Sequence, residues 1–324
     1  MLDKNDTILV TGAGGLVGSH VVELLEAEGF RHVFGLRHVD CDLTNRMRTE
    51  EIFRMTRPKH VFHAAARVYG IKGNMDNQGK SYLDNTLINT HVIDAAKKYN
   101  AEKITVMGTG AVYPVDAPGY HRSGERLAYR ESHIFNGRPD PHEAGYAHAK
   151  RGMLAMLEAY QTSYGLKWAY IVSCNLFGPR DKFEPINGHV TPALIHKFYM
   201  AKELGTPITV WGDGSAERDF LYVKDAARVA KLAMDGVQGP INMGSGQVYR
   251  IRDVVDALSD ISGVTDIQWD DTKPNGVAYR AYDLGMLRQC GFAPMYTLRA
   301  GLQETWDWYC QDQRIEQAVS NGVS

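Results

Sequence analysis

A short apolar run, Thr7-Ile8-Leu9-Val10, passes directly into Thr11-Gly12-Ala13-Gly14-Gly15-Leu16-Val17-Gly18, and an amphipathic helix is expected from about Leu16 to Glu28. The spacing Gly12-x-x-Gly15-x-x-Gly18 between a strand and a helix constrains the fold more than any other feature. The first glycine allows a sharp turn, the second lets a pyrophosphate approach the backbone, and the third lets the helix pack on the strand. The helix then points its first amides at the phosphates. Gly12, Gly14, Gly15, Leu16, Val17 and Gly18 are therefore the first candidate contacts to a dinucleotide. Strands and helices alternate from there on, which predicts an α/β chain with a doubly wound parallel sheet.

The next strand, His32-Val33-Phe34-Gly35-Leu36, ends in Arg37-His38. An acidic residue at that point would accept the ribose hydroxyl of NAD, whereas an Arg suits the 2′-phosphate of NADP(H). NADP(H) is the expected cofactor; the alternative for Arg37 is a solvated surface charge. Asp42 and Leu43 are placed to reach the adenine edge. Lys59-His60-Val61-Phe62-His63 reads as a further strand, and Ala64-Ala65-Ala66 after it are small enough for a cofactor to lie against the backbone. Helices are expected over 82–99, with Asn85 in its first two turns, and over 146–164. The strand Ile104-Thr105-Val106-Met107 delivers Thr109.

Tyr146 and Lys150 are four residues apart, one turn along a helix face. A free phenol has a pKa of about 10. A neighbouring ammonium and a helix N-terminus are both expected to lower it. Such a phenol can give a proton to a carbonyl oxygen as hydride reaches the carbon. The polar segment 116–145 precedes this pair and is read either as a substrate-side lid or as an insertion without catalytic weight. Strands are expected at 168–172, 208–211 and 218–223, and helices at 189–204, 224–235, 250–262 and 297–311. Residues 1–174 with 221–244 are expected to form the cofactor domain, 175–220 with 245–312 a smaller lobe, and 313–324 a frayed tail.

The chain has 324 residues and a net charge of −2, so no basic field exists to hold nucleic acid. Cys41, Cys174, Cys290 and Cys310 show neither a CxxC nor any metal-ligand spacing, which predicts reduced thiols, no metal and a cytoplasmic location. No apolar run approaches the ~18–20 residues of a membrane span.

Four longer stretches carry a family resemblance: Val61-Phe62-His63-Ala64-Ala65-Ala66-Arg67-Val68-Tyr69-Gly70-Ile71, Asn175-Leu176-Phe177-Gly178-Pro179-Arg180-Asp181-Lys182-Phe183, Gly188-His189-Val190-Thr191-Pro192-Ala193-Leu194, and Val210-Trp211-Gly212-Asp213-Gly214 through Arg218-Asp219-Phe220-Leu221-Tyr222-Val223-Lys224-Asp225. From about residue 7 to 310 the chain resembles an extended short-chain dehydrogenase/reductase acting on a nucleotide sugar, and within that family the GDP-L-fucose synthases. The resemblance implies a Rossmann domain with a C-terminal substrate lobe, and a homodimer joined through a four-helix bundle. It also implies NADPH-dependent reduction at C4 of a GDP-4-keto sugar. Tyr146 would be the proton donor, Lys150 its tuner and the nicotinamide-ribose anchor, and Thr109 a hydrogen-bond partner of the C4 oxygen. Lys197, Arg218 and Arg280 match basic positions that hold the diphosphate. Asn85, Asn175 and Trp211 are assigned with them to the substrate.

One departure bears on the reaction. Fucose synthases carry Ser-Ser-Cys-Ile-Tyr-Pro where this chain has Thr109-Gly110-Ala111-Val112-Tyr113-Pro114, and their Cys removes the ring protons during epimerisation. Ala111 has no titratable group, while the partner acid, His189, is retained. The expectation is 4-keto reduction of a deoxysugar or heptose with little or no epimerisation. Three alternatives stand beside it: a bifunctional epimerase–reductase using another base, a 4-epimerase that retains NAD, and a non-catalytic NADP sensor. Arg37 argues against the second. The joint presence of Thr109, Tyr146 and Lys150 argues against the third.

Overall fold

The computed structural model describes residues 2–69, 71–115, 128–184, 188–273 and 278–312. In chain order the elements are β1 (Thr7–Thr11), α1 (Leu16–Ala27), β2 (His32–Leu36), α2 (Arg46–Thr56), β3 (His60–His63), α3 (Ile71–Asp76), α4 (Gln78–Lys98), β4 (Lys103–Met107), α5 (Ala144–Tyr164), β5 (Lys167–Ser173), β6 (Asn175–Phe177), α6 (Val190–Leu204), β7 (Ile208–Trp211), β8 (Glu217–Tyr222), α7 (Val223–Gly236), β9 (Gly239–Met243), β10 (Val248–Arg250), α8 (Ile251–Ser262), β11 (Ile267–Asp270), β12 (Tyr279–Arg280), α9 (Gly285–Gln289) and α10 (Leu298–Gln311). Short 3₁₀ turns lie at Gly110–Val112, Glu131–His133 and Pro141–Glu143.

Six strands form one parallel sheet in the order β2-β1-β3-β4-β5-β9. Its inner strands are covered on both faces: Ile8, Leu9 and Val10 of β1 and all of β4 are buried. This is why they read as unbroken apolar runs rather than alternating ones. Helices α1 and α7 are neighbours, as are α2, α4 and α5. The chain crosses the sheet outward through β2 and then back through β3. That reversal beside β1 is the switch point at which such doubly wound, Rossmann-like sheets bind ligands, at the carboxyl ends of the strands.

A second assembly is built on β8, which pairs antiparallel with β10 and parallel with β6 and β12. β7 and β11 form a separate parallel pair. Phe177, Phe198, Phe220, Leu258, Leu302 and Trp306 belong to its core, whereas Leu221 belongs to the core of the large sheet. Alternation along β8 thus sends successive side chains into different cores. Tyr282, Leu284, Leu287 and Phe292 also pack into the core of the large sheet.

Helix α2 is absent from the sequence expectation. Its run Arg46-Met47-Arg48-Thr49-Glu50-Glu51 is polar, and only Thr49 and Phe53 are buried. What defines it is its ends: the Asn45 side chain accepts from the Arg48 amide at 3.2 Å, and Arg57 closes it in the left-handed region at φ 44°. The first is a standard helix start and the second a standard helix stop. Helix α4 begins at Gln78, four residues earlier than expected, and β9 joins the sheet beside β5.

Of the 116–145 segment, 116–127 lies outside the described residues, as does the expected frayed tail 313–324. The remainder is pinned. Tyr129 stacks on Tyr113 with centroids 4.6 Å apart, its amide donates to Ala281 O at 2.9 Å, and its carbonyl accepts from the Asp283 amide at 2.8 Å. Among the described residues no helix is long and apolar enough to cross a membrane, and no group of three or more His, Cys, Asp or Glu is placed to hold a metal ion.

Candidate functional site

The turn after β1 has the shape a pyrophosphate cradle needs. Gly12 adopts φ +73°, and a Cβ there would lie 2.7 Å from the Ala65 amide nitrogen. A Cβ on Gly18 would lie 2.2 Å from Gly12 O. These two glycines are closed to any side chain. Gly15 and Gly14 face open space apart from ordinary contacts, at 3.4 Å with Gly12 O and 3.5 Å with Arg37 Cγ. Gly15 is the residue before the first turn of α1, whose leading amides of Leu16, Val17 and Gly18 have no carbonyl partner within the helix. The residues therefore fit a dinucleotide pyrophosphate. Ala65 donates its amide to Thr11 Oγ at 3.3 Å, which keeps the Ala64–Ala66 backbone against the glycine turn.

Arg37 follows β2 directly, and its Cγ would lie 3.5 Å from a Cβ on Gly14. It is already engaged: Nε and Nη2 donate to the two carboxylate oxygens of Asp40 at 3.0 and 3.1 Å. Asp42 is exposed, and its carboxyl is held below the usual range by bonds from the Thr44 amide and hydroxyl. Leu43 is buried in the core of the sheet, with its carbonyl 3.0 Å from His91 Nδ1.

Tyr146 lies in the first turn of α5 and packs on Ala111 and Ala147, with Ala66 and Val68 against them. The candidate proton donor, Ala66 of the candidate cofactor wall and Ala111 thus share one apolar cluster. Lys150 is 1 % exposed. Its Nζ donates to Met107 O at 2.8 Å and lies 5.8 Å from the centroid of the Tyr146 ring. Thr109 caps the turn that carries Ala111, its Oγ accepting from the Ala111 amide at 3.2 Å.

The electrostatics correct one expectation. The phenol of Tyr146 is pushed up, not down, by burial first and the charge of Glu143 second. The ammonium of Lys150 is itself lowered to about 7 by burial. Tyr146 is consequently a neutral phenol that holds its proton at neutral pH, which is the state a proton donor requires.

Behind Lys150 lies a polar thread that the sequence did not announce. His63 is fully buried. Its Nε2 lies 3.1 Å from Asn89 Oδ1 and its Nδ1 lies 2.7 Å from Thr11 Oγ. The amide oxygen of Asn89 only accepts, so Nε2 carries the proton and Nδ1 accepts from the Thr11 hydroxyl. Burial, then the charge of Lys150, lowers this imidazole to about 3. The nearest sequence signal was His63 closing a strand that leads into Ala64.

The substrate-side candidates divide by location. Asn85 is fully buried, and its amide is committed to backbone: Oδ1 accepts from Arg67 N at 3.0 Å, while Nδ2 donates to Arg67 O and Ser81 O at 2.9 and 2.8 Å. It braces the wall after β3. Asn175 is half-buried on β6. Arg218 and Arg280 stand side by side, paired in register across β8 and β12. Lys197 donates to Thr209 O at 2.9 Å and lies 5.6 Å from the Trp211 ring centroid, with Trp211 itself 55 % exposed. His189 is the residue before α6. It is reached by water yet surrounded by protein, as a group on a crevice wall is, and this environment and then the charge of Lys182 lower its imidazole. Lys182 donates to Val68 O at 3.2 Å, bringing this loop up to the Tyr146 cluster.

Two acidic groups belong beside these residues and were not singled out in the sequence. One oxygen of Asp181 is buried without a hydrogen-bond partner, and burial raises its carboxyl to about 7. Glu143 Oε1 lies 3.7 Å from Arg280 Nη2. Burial raises the Glu143 carboxyl as well, with Arg280 opposing. Asp181 lay inside a quoted stretch, whereas only the tertiary contact reveals Glu143.

Residues 8–249 match the sequence profile described as the NAD dependent epimerase/dehydratase family. The chain is 34 % identical to GDP-L-fucose synthase 1 of Arabidopsis thaliana over 96 % of its own length and 95 % of that protein. It is 29 % identical to GDP-L-fucose synthase of Escherichia coli K12, covering 94 % and 97 %. The crystal structure of a GDP-L-fucose synthetase from Naegleria fowleri bound to NADP superposes with a TM-score of 0.86 at 26 % identity, covering 97 % of each chain.

Proposed function

We propose that this chain, which belongs to the NAD dependent epimerase/dehydratase family, is an NADPH-dependent reductase of the 4-keto group of a GDP-linked deoxysugar or heptose. The observation that carries the reading is the Tyr146–Lys150 pair, with Tyr146 packed on Ala66 and on Ala111 of the turn that Thr109 caps, and Lys150 held on Met107 O. When bound, the dinucleotide would supply hydride. Gly12, Gly15, Gly18 and the α1 amides would hold its pyrophosphate, and Arg37 its 2′-phosphate once exchanged from Asp40. Lys150 would anchor the nicotinamide ribose. Tyr146, kept protonated by its buried setting, would give its proton to the C4 oxygen while Thr109 orients that oxygen. Arg218, Arg280 and Lys197 would hold the diphosphate, since phosphates leaving water need charge-assisted donors. Trp211 offers an exposed ring for the base.

The wall facing the sugar carries Ala111 where the related synthases have a thiol, so no base stands at that point. Incubation with a GDP-4-keto-6-deoxy sugar and NADPH in deuterated water, read by NMR at C3 and C5, tests the assignment. Expected is a reduced product with both positions unlabelled. Rapid label at either carbon would establish the bifunctional reading instead.

For the assembly, α4 and α5 pack along each other and leave Tyr82, Leu83, Gly152, Ala155 and Ala159 exposed. These support a homodimer through a four-helix bundle, for which sedimentation equilibrium is the check.

A further inference from the structure

Glu143 has no place in the reaction as set out above, yet its position is defined by three independent neighbours. It immediately precedes α5, three residues before Tyr146, so both side chains rise from the same end of one helix. The 3₁₀ turn Pro141–Glu143 that presents it is fixed at its start, where the Asp140 carboxylate accepts from the His142 amide at 2.9 Å. The same junction is braced from α4: the Gly145 amide donates to Gln78 Oε1 at 2.6 Å, and a Cβ on Gly145 would lie 2.3 Å from Gln78 O. On its other side the carboxylate meets Arg280, with Oε1 3.7 Å from Nη2, and Arg280 stands in register with Arg218. Glu143 is thus near both ends of the crevice: its charge acts on the Tyr146 phenol, and the charges of Arg280 and Arg218 act on it.

In the reading above, the phenol meets C4 of the sugar and the guanidiniums meet the diphosphate on C1. The ring must span the distance between them, and its hydroxyl-bearing edge passes the carboxylate. A carboxylate only accepts hydrogen bonds, and a sugar edge offers hydroxyl donors. We propose that Glu143 is a specificity-determining residue of the sugar subsite, accepting hydroxyl hydrogen bonds from the ring once the diphosphate has drawn Arg280 away from it. The loose 3.7 Å ion pair is a placeholder that substrate replaces at both ends: phosphate for the guanidinium, hydroxyls for the carboxylate. Simultaneous replacement leaves neither charge unpaired in a half-buried site, where an unpaired charge is costly. A sugar lacking the hydroxyls that reach Glu143 would instead leave the carboxylate desolvated without partners, so the residue discriminates among sugars on one nucleotide.

This rests on the reading of the crevice as a GDP-sugar site, and the test separates the two. GDP and GDP-mannose are titrated by calorimetry into the full-length protein with NADPH present, for wild type, Glu143→Gln and Glu143→Ala. The ratio of the two affinities isolates what the sugar contributes. A charge-assisted hydrogen bond lost from a buried site corresponds to about a 10-fold change in affinity. The ratio is expected to fall by about that factor in both variants, while GDP alone binds as well as before or more tightly, because the Glu143 carboxylate no longer competes with phosphate for Arg280. Equal weakening of GDP and GDP-mannose would make Glu143 a mere brace for Arg280 and overturn the proposal, as would an unchanged ratio. Glu143→Gln keeps the volume and the turn, so misfolding of the Ala variant leaves the test intact. Failure of the wild type to bind GDP at all would remove the GDP-sugar reading itself, and the proposal with it.

Discussion

Lys150 carries a buried ammonium, and replacing it with Met should expose what that burial costs. Its side chain is 1 % exposed, and the ammonium donates to Met107 O at 2.8 Å. A fall from the ordinary 10.5 to about 7, at about 1.36 kcal/mol per pH unit, puts the burden of burying the charge at about 5 kcal/mol. Lys150→Met removes that burden with little change in volume. It leaves the Met107 carbonyl without the ammonium, a loss of about 1–3 kcal/mol, so a net gain of about 2–4 kcal/mol in stability is expected near pH 7. The pH dependence is the sharper check. The folded state binds this proton less tightly than the unfolded state, so between pH 7 and 10.5 the unfolded chain holds more protons and wild-type stability rises with pH on account of this group. The Met variant lacks that contribution. The difference between variant and wild type should therefore be largest below pH 7 and shrink by about 1.36 kcal/mol per unit above it. Urea unfolding of both proteins at pH 6.5, 7.5, 8.5 and 9.5 measures the difference, in which the other titrating groups cancel. A gap that stays constant across this range would refute the claim that desolvation of Lys150 is the cause.

Tyr146→Phe should lower kcat by about 10²–10⁴-fold, the usual contribution of a positioned acid, while NADPH affinity stays within a factor of two; substantial residual turnover would assign the acid elsewhere. Arg37→Ala should reduce the preference for NADPH over NADH by about 10–100-fold, the worth of a charge-assisted contact, read as the ratio of kcat/KM values; an unchanged ratio removes Arg37 from the 2′-phosphate site. Gly18→Ala drives a methyl to 2.2 Å from Gly12 O and should cost about 1–3 kcal/mol as overpacking, seen as a lower Tm together with weaker cofactor binding. If melting is unaltered, the close approach of α1 to the turn is not what confines that position to glycine.

What was legible in the sequence is what short-range spacing encodes. Gly12, Gly15 and Gly18 announce the turn because the requirement is local, and Tyr146 and Lys150 announce themselves because one helical turn brings them together. The apolar runs of β1, β3, β4 and β5 could be read because both faces of the sheet are covered. Long-range consequences were not legible. The lowered ammonium of Lys150 and the raised phenol of Tyr146 follow from desolvation, which depends on what the rest of the chain packs over them. The Glu143–Arg280 contact joins the start of α5 to β12 and exists only after the second assembly has folded against the first. Asn85 is assigned to the substrate alongside the resemblance, and only the folded chain shows its amide committed to the backbone of Arg67 and Ser81. The pairing of Arg37 with Asp40 is short-range, but no spacing rule distinguishes it from an unengaged Arg.

The alternation along β8 has a mechanical meaning. Phe220 and Tyr222 are rooted in one core and Leu221 in the other, so the two halves share a stitched seam rather than a hinge at this strand. Pulling one half away must uproot side chains from the other. Motions that admit and release substrate are accordingly confined to segments off this seam. The backbone amides of Phe220, Leu221 and Tyr222 should be among the slowest in the chain to exchange with deuterium, opening only when both halves melt together.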